Sequence, residues 1–84
     1  MADVTAESMT LDHVKAARIF LDLTASDLSD ICSVGVATVR NFESGSVVRL
    51  SSRQAIFDAL TAAGIVFYNG GSPGVRLVKP KEGL

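Results

Sequence analysis

Apolar residues recur at helical spacing through most of the chain, and the spacing becomes strand-like only towards the carboxyl end. The helical periodicity predicts four helices, at about 10–22, 25–32, 36–43 and 51–63. Two short apolar runs follow, at 65–68 and 75–78, on either side of a segment rich in glycine. Apolar runs that flank a turn predict a β-hairpin over 65–78. We therefore expect a mainly α-helical chain that ends in a hairpin.

The two central helices are predicted around a tight break. Thr24 can cap the first of them, with Asp27 as its capping-box partner three residues on. Ser33 lies in the turn, and Gly35 is the predicted N-cap of the next helix. Gly45 provides a left-handed end to that helix.

The fourth helix is predicted to begin with a capping box of its own, formed by Ser51 and by Gln54 three residues later.

The helix predicted over 36–43 is short and has a polar outer side. Val39 and Phe42 are three residues apart and should be buried. The residues predicted to point outward are Val36, Ala37, Arg40, Asn41 and Ser44. Two short helices of this kind are typical of a helix-turn-helix. The alternative interpretation is an ordinary helical hairpin whose apolar residues serve packing alone.

Arg18 lies close to the apolar side of the first helix, where an unpaired cation would be costly. Glu43, at the end of 36–43, is its predicted partner. Alternatively, the aliphatic part of Arg18 lies on the apolar surface while its guanidinium reaches solvent. His13, the only histidine, is placed on the outer side of the opening turn of the first helix. No cysteine or second histidine accompanies it at a metal-ligand spacing. We therefore expect no metal, no cofactor and no enzymatic activity.

The chain has 84 residues, which is enough for one domain. We place that domain at 10–78, with a disordered tail at 1–9 and a polar tail at 79–84. The tail at 1–9 contains acidic residues and lacks the apolar stretch of a signal peptide, so a cytoplasmic protein is expected. The single cysteine, Cys32, rules out an internal disulfide and should be a small buried side chain.

The formal net charge of −1 is unusual for a protein that binds nucleic acid. The charges are, however, segregated along the chain. Residues 1–32 carry six acidic and two basic side chains, whereas residues 33–81 carry two acidic and six basic ones. This asymmetry suits a basic face directed at a polyanion, although a dipolar surface can also arise without a function.

In the order and spacing of these segments, the chain resembles the XRE family of phage-repressor-type helix-turn-helix proteins. The resemblance is to the small bacterial members that carry a hairpin after the last helix, and it extends over about 10–78. The segments that carry it are 16–18 with Leu21, Leu28, Val34, 37–39, 42–45, 59–60 with 62–64, and 73–77. It implies a compact, lambda-repressor-like domain of four to five helices, followed by a C-terminal β-hairpin.

The resemblance also implies roles for individual residues. The residues implied to contact bases from the major groove are Val36, Ala37, Arg40 and Asn41. The residues expected to contact phosphates are Thr24, Ser44, Arg49 and Arg53. For Arg40 a phosphate contact is the alternative. The family's pairing of its first helix with the end of its recognition helix maps onto Arg18 and Glu43. Ser33 stands where glycine is usual, at a cost of about 1 kcal/mol if it is left-handed.

The resulting expectation is a sequence-specific regulator of transcription that binds double-stranded DNA in the cytoplasm, in association with the nucleoid. It would act as a homodimer on an inverted repeat, most simply as a repressor. The hairpin at 65–78 is the candidate dimer surface, or else it caps the core of the monomer. The alternative function is a protein-interaction module, such as an antitoxin-like partner, built on the same scaffold.

Overall fold

The computed structural model describes residues 4–69 and 73–77. Within these residues the chain forms four helices and one antiparallel hairpin. The elements are α1 (Leu11–Phe20), α2 (Ala25–Cys32), α3 (Val36–Glu43), α4 (Leu50–Ala62), β1 (Ile65–Asn69) and β2 (Pro73–Leu77). The predicted mainly helical chain with a carboxyl-terminal hairpin is confirmed. Val78 and the predicted polar tail at 79–84 lie outside the described residues.

The ends of α2 and α3 depend on local signals, and they lie where the sequence predicts them. The Thr24 hydroxyl accepts a hydrogen bond from the Asp27 amide at 3.0 Å, and the Asp27 carboxylate accepts from the Thr24 amide at 3.0 Å. Ser33 adopts the left-handed conformation at φ 57° and ends α2. Gly35 is the N-cap of α3, and Gly45 follows the helix at φ 95°.

The start of α4 differs from its prediction. The helix begins at Leu50, and its N-cap, Arg49, makes no side-chain capping bond. Gln54, predicted as the reciprocal partner in a capping box, instead donates its amide to Asp58 at 2.9 Å, one turn further on. Side chains four residues apart on a helix surface are neighbours, and this pairing satisfies Gln54 without a cap.

The hydrophobic core lies between the helices and one side of the hairpin. Its fully buried members include Val14, Leu28, Val39, Ile56 and Leu60. In β1, alternate side chains point to opposite sides of the sheet. Phe67 is buried and stacks on Phe57 of α4 with ring centroids 5.3 Å apart, whereas Val66 and Tyr68 are partly exposed. The hairpin therefore packs on the helices of its own chain.

The prediction of a disordered amino-terminal tail is wrong for residues 4–9. Val4, Ala6 and Met9 are buried, and Met9 is only 1% exposed. The Arg53 guanidinium of α4 donates hydrogen bonds to the main-chain carbonyls of residues 6, 7 and 9. The segment is too short to show a helical or strand period, which is why its sequence did not indicate that it packs.

Three large apolar residues of the helices are exposed, although their helical spacing is compatible with the core. Ile19 and Phe20, at the end of α1, are 73% and 52% exposed, and Ile31 of α2 is 50% exposed. Both helices are short, and each contributes only a narrow side to the core.

No helix among the described residues is long and apolar enough to cross a membrane.

Candidate functional site

The inner side of α3 is fixed by apolar packing. Val39 is fully buried and Phe42 is 4% exposed, as their spacing predicts. Phe42 also lies under the guanidinium of Arg53, 4.7 Å from its ring centroid. A cation over an aromatic ring is attracted by the charge distribution of the ring. One side of this eight-residue helix is thus held in place, although an isolated helix of this length would be unstable in water.

A bidentate ion pair fixes the end of α3 to α1, which confirms the predicted pairing of Arg18 with Glu43. Arg18 Nε donates to Glu43 Oε2 and Nη2 donates to Oε1, each at 2.8 Å. Arg18 Nη1 also donates to the Leu23 carbonyl at 3.0 Å. The hydrogen bond to Glu43 raises the pKa of Arg18, against the lowering effect of burial. The pair is largely shielded from water, with side-chain exposures of 23% and 9%.

The outer side of α3 carries two polar side chains, those of Arg40 and Asn41, that make no hydrogen bond or ion pair within the described part of the protein. Ala37, Arg40 and Asn41 are exposed, and Val36 is half-buried. An arginine offers a planar fork of donors, and an asparagine amide offers donors and an acceptor side by side. Side by side on one surface, they can make bidentate hydrogen bonds to flat polar partners such as base edges.

A groove runs along α3 towards the start of α4. It has a volume of about 470 Å³. Its lining residues are Ser33, Val34, Gly35, Thr38, Asn41, Val47, Val48, Arg49 and Ser52. It brings together Asn41, predicted to contact a base, and Arg49, predicted to contact a phosphate. All of its lining residues lie within 33–52, but the sequence did not indicate the groove, because it depends on how the start of α4 packs against α3.

The four residues predicted to contact phosphates lie in different environments. Thr24 is exposed, but its hydroxyl caps α2. The Ser44 hydroxyl donates to the Asn41 carbonyl at 2.9 Å. Arg49 is exposed and forms no ion pair with any acid among residues 4–69 and 73–77. Arg53 differs from the prediction, because the carbonyls of the amino-terminal segment occupy its Nε and Nη2 donors.

The prediction that His13 lies on the outer side of α1 is wrong, since the side chain is 1% exposed. Its Nδ1 accepts from the Thr10 amide at 2.9 Å, so the ring proton lies on Nε2, which donates to the Tyr68 carbonyl at 2.7 Å. The ring also meets Phe67 edge-on, at 5.4 Å between centroids. Its position three residues after the cap Thr10 was the sequence signal for this capping box.

Cys32 is a buried free thiol at the end of α2, as predicted. Burial raises the pKa of this thiol, which keeps it in the unreactive protonated form. Its Sγ lies 3.9 Å from the Ser29 carbonyl, as a weak donor. Cys32 is therefore a packing residue of α2.

Comparison with known proteins finds no family model and no curated protein that matches the sequence.

Proposed function

We propose that this protein is a sequence-specific regulator of transcription that binds double-stranded DNA, with α2 and α3 as a helix-turn-helix of the XRE type. One observation carries the proposal. The inner side of α3 is fixed by Val39, Phe42 and the bidentate pair of Glu43, whereas its outer side presents Arg40 and Asn41 to solvent. A short helix held in this way suits the role of a recognition helix.

The chemistry of the outer side matches base edges in the major groove, which is about 12 Å wide and admits an α-helix. Arg40 can donate two hydrogen bonds to guanine O6 and N7, and Asn41 can pair through both its amide atoms with adenine. Val36 and Ala37 can contact a thymine methyl group. In this proposal Thr24, Ser44 and the exposed Arg49 contact phosphates, and these contacts position the helix.

The proposal includes a homodimer on an inverted repeat, because one short helix reads only a few base pairs. The outward side of the hairpin is the candidate dimer surface. It carries Val66, 37% exposed, and Tyr68, 38% exposed, with Arg76 lying over the Tyr68 ring. Tyrosine and arginine are enriched at the centres of interfaces. A dimer that covers a promoter would act as a repressor in the cytoplasm, associated with the nucleoid.

Exposed apolar side chains favour a second candidate function, a protein-interaction module such as an antitoxin-like partner. Val47, in the loop after α3, is 98% exposed, and Ile19 at the end of α1 is 73% exposed. Large apolar side chains that are this exposed are available for contact with a partner protein. DNA binding that depends on α3 would exclude this module as the sole function.

Fluorescence anisotropy with a pool of upstream genomic duplexes, measured over a range of salt, tests the proposal. The protein is expected to prefer particular duplexes and to lose affinity steeply as salt rises. Arg40→Ala and Asn41→Ala should each lose about 1–3 kcal/mol of discrimination between sequences.

Lys15→Ala is the matched control, because it removes an exposed cation from α1 and leaves α3 intact. It should retain the sequence preference. Absence of binding at low salt would reject DNA binding and direct attention to a protein partner. Binding with no preference in the unaltered protein would reject sequence-specific regulation.

A further inference from the structure

The groove between α3 and α4 has an unusual balance of charge. Among the residues that the structure describes, Arg49 is the only charged one in the lining, and none of the lining residues carries a carboxylate. The nearby acid at the end of α3, Glu43, is engaged by Arg18. An anion that entered the groove would therefore meet a guanidinium and no competing negative charge.

The hydroxyls in the groove are free to bind a ligand. Ser33, Thr38 and Ser52 line it, and their side chains make no hydrogen bond with any residue of the described chain. A hydroxyl can donate its proton to an oxygen that only accepts. Phosphate oxygens are such acceptors, and serine, threonine and arginine are common phosphate contacts in complexes with DNA. The groove thus combines a cation with three free donors.

The size and the walls of the groove fit a phosphate ester better than a bare ion. The volume of about 470 Å³ is within the range of small-molecule sites. Val34, Val47 and Val48 provide apolar surface between the polar groups, against which the carbon edges of a sugar can pack. Asn41 also lines the groove, so its occupant would lie directly beside the outer side of α3.

We infer that this groove holds a sugar-phosphate segment of the DNA strand beside α3, through Arg49 and the hydroxyls of Ser33, Thr38 and Ser52. The inference rests on the proposed function and assigns residues to its phosphate contacts. Arg49 supplies the charge, while the hydroxyls fix the position of the phosphate. Arg53 is not among the lining residues, and its Nε and Nη2 donors hold the amino-terminal segment.

The test measures anisotropy with several duplexes of unrelated sequence, using the intact chain and the variants Arg49→Gln, Thr38→Val and Ser52→Ala. Phosphate contacts carry no sequence information, so each variant should weaken binding equally on every duplex. Arg49→Gln should reduce the salt slope by about 0.9, the contribution of one phosphate. Thr38→Val, which keeps the shape of the side chain, should weaken binding roughly fivefold.

Lys15→Gln is the control for a lost cation outside the groove, and circular dichroism checks that each variant folds. If the unaltered protein binds DNA and the groove variants bind as tightly as Lys15→Gln, the groove inference is wrong and the proposed function stands. A loss confined to one sequence would also contradict it, because it would indicate base reading.

If the unaltered protein binds no DNA, the proposed function fails, and titration with inorganic phosphate and adenosine monophosphate, followed by NMR, then decides the groove inference. Amide shifts at Ser33, Thr38 and Ser52 that disappear in Arg49→Gln would show that the groove binds free phosphate esters. Unchanged amide signals would overturn the inference that the groove binds phosphate.

Discussion

Each end of α1 is attached to another element by the hydrogen bonds of a polar side chain, but the two attachments differ in their chemistry. Near its start, His13 donates to the Tyr68 carbonyl and so attaches the hairpin through neutral groups. At its end, Arg18 forms two charged hydrogen bonds to Glu43 and so attaches α3. A partly buried charge that loses its partner costs more than a neutral group does. A substitution that removes the polar side chain should therefore lower the free energy of unfolding more at the end that holds α3 than at the end that holds the hairpin.

The largest expected effect is from Arg18→Met, which leaves the carboxylate of the Glu43 side chain, only 9% exposed, without a partner. We expect the free energy of unfolding to fall by about 3 kcal/mol, measured by urea denaturation. Arg40→Met, the same exchange on the outer side of α3, should change it by less than about 0.5 kcal/mol. Equal unfolding midpoints for the two variants would show that the ion pair contributes nothing to stability.

The second prediction concerns the neutral end of α1. His13→Ala removes a buried ring, a capping bond and the donor to Tyr68, and should cost about 2 kcal/mol. His13→Gln should cost less, since glutamine at this position can restore the capping box. Hydrogen exchange should become faster in β1 than in α3 for His13→Ala. Faster exchange in α3 instead would contradict separate attachments at the two ends of α1.

The smallest expected effect concerns a polar contact within a single turn, between Thr24 and Asp27. Hydrogen bonds from the Thr24 amide, and then from its side chain, lower the pKa of Asp27 below its ordinary value of 3.8. The folded state thus favours the charged form, so the contribution is fully present above pH 3.8 and is lost as pH falls through the lower folded value. The difference in stability between the unaltered protein and Asp27→Asn should therefore shrink between pH 6 and pH 2. A difference that stays constant in urea titrations across this range would refute it.

Most of the fold was predictable because its signals are local. The ends of α2 and α3 depend on Thr24, Ser33 and Gly45, whose backbone preferences act within a few residues. The Arg18 pairing was predictable for a different reason, since a charge near an apolar side requires a partner somewhere. His13 carries no such requirement, because a neutral imidazole is tolerated on either side of a helix.

The site was only partly predictable from the sequence. The phase of Val39 and Phe42 fixes which side of α3 is buried, and so the exposure of Arg40 and Asn41 follows from it. The groove depends on how α3 packs against the start of α4, and the engagement of Arg53 depends on how the amino-terminal segment meets α4. No pattern within one element encodes such a meeting, which is also why the packing of residues 4–9 was missed.

The hydrogen bonds of Arg53 also bear on the order of folding. Its bond to the Ala6 carbonyl spans 47 positions of the chain, and the same guanidinium lies over the Phe42 ring. Contacts between distant positions form late, because closing a long loop costs entropy before the contact compensates for it. The amino-terminal segment, although synthesised before α4, is thus expected to dock among the last parts of the molecule and to detach among the first.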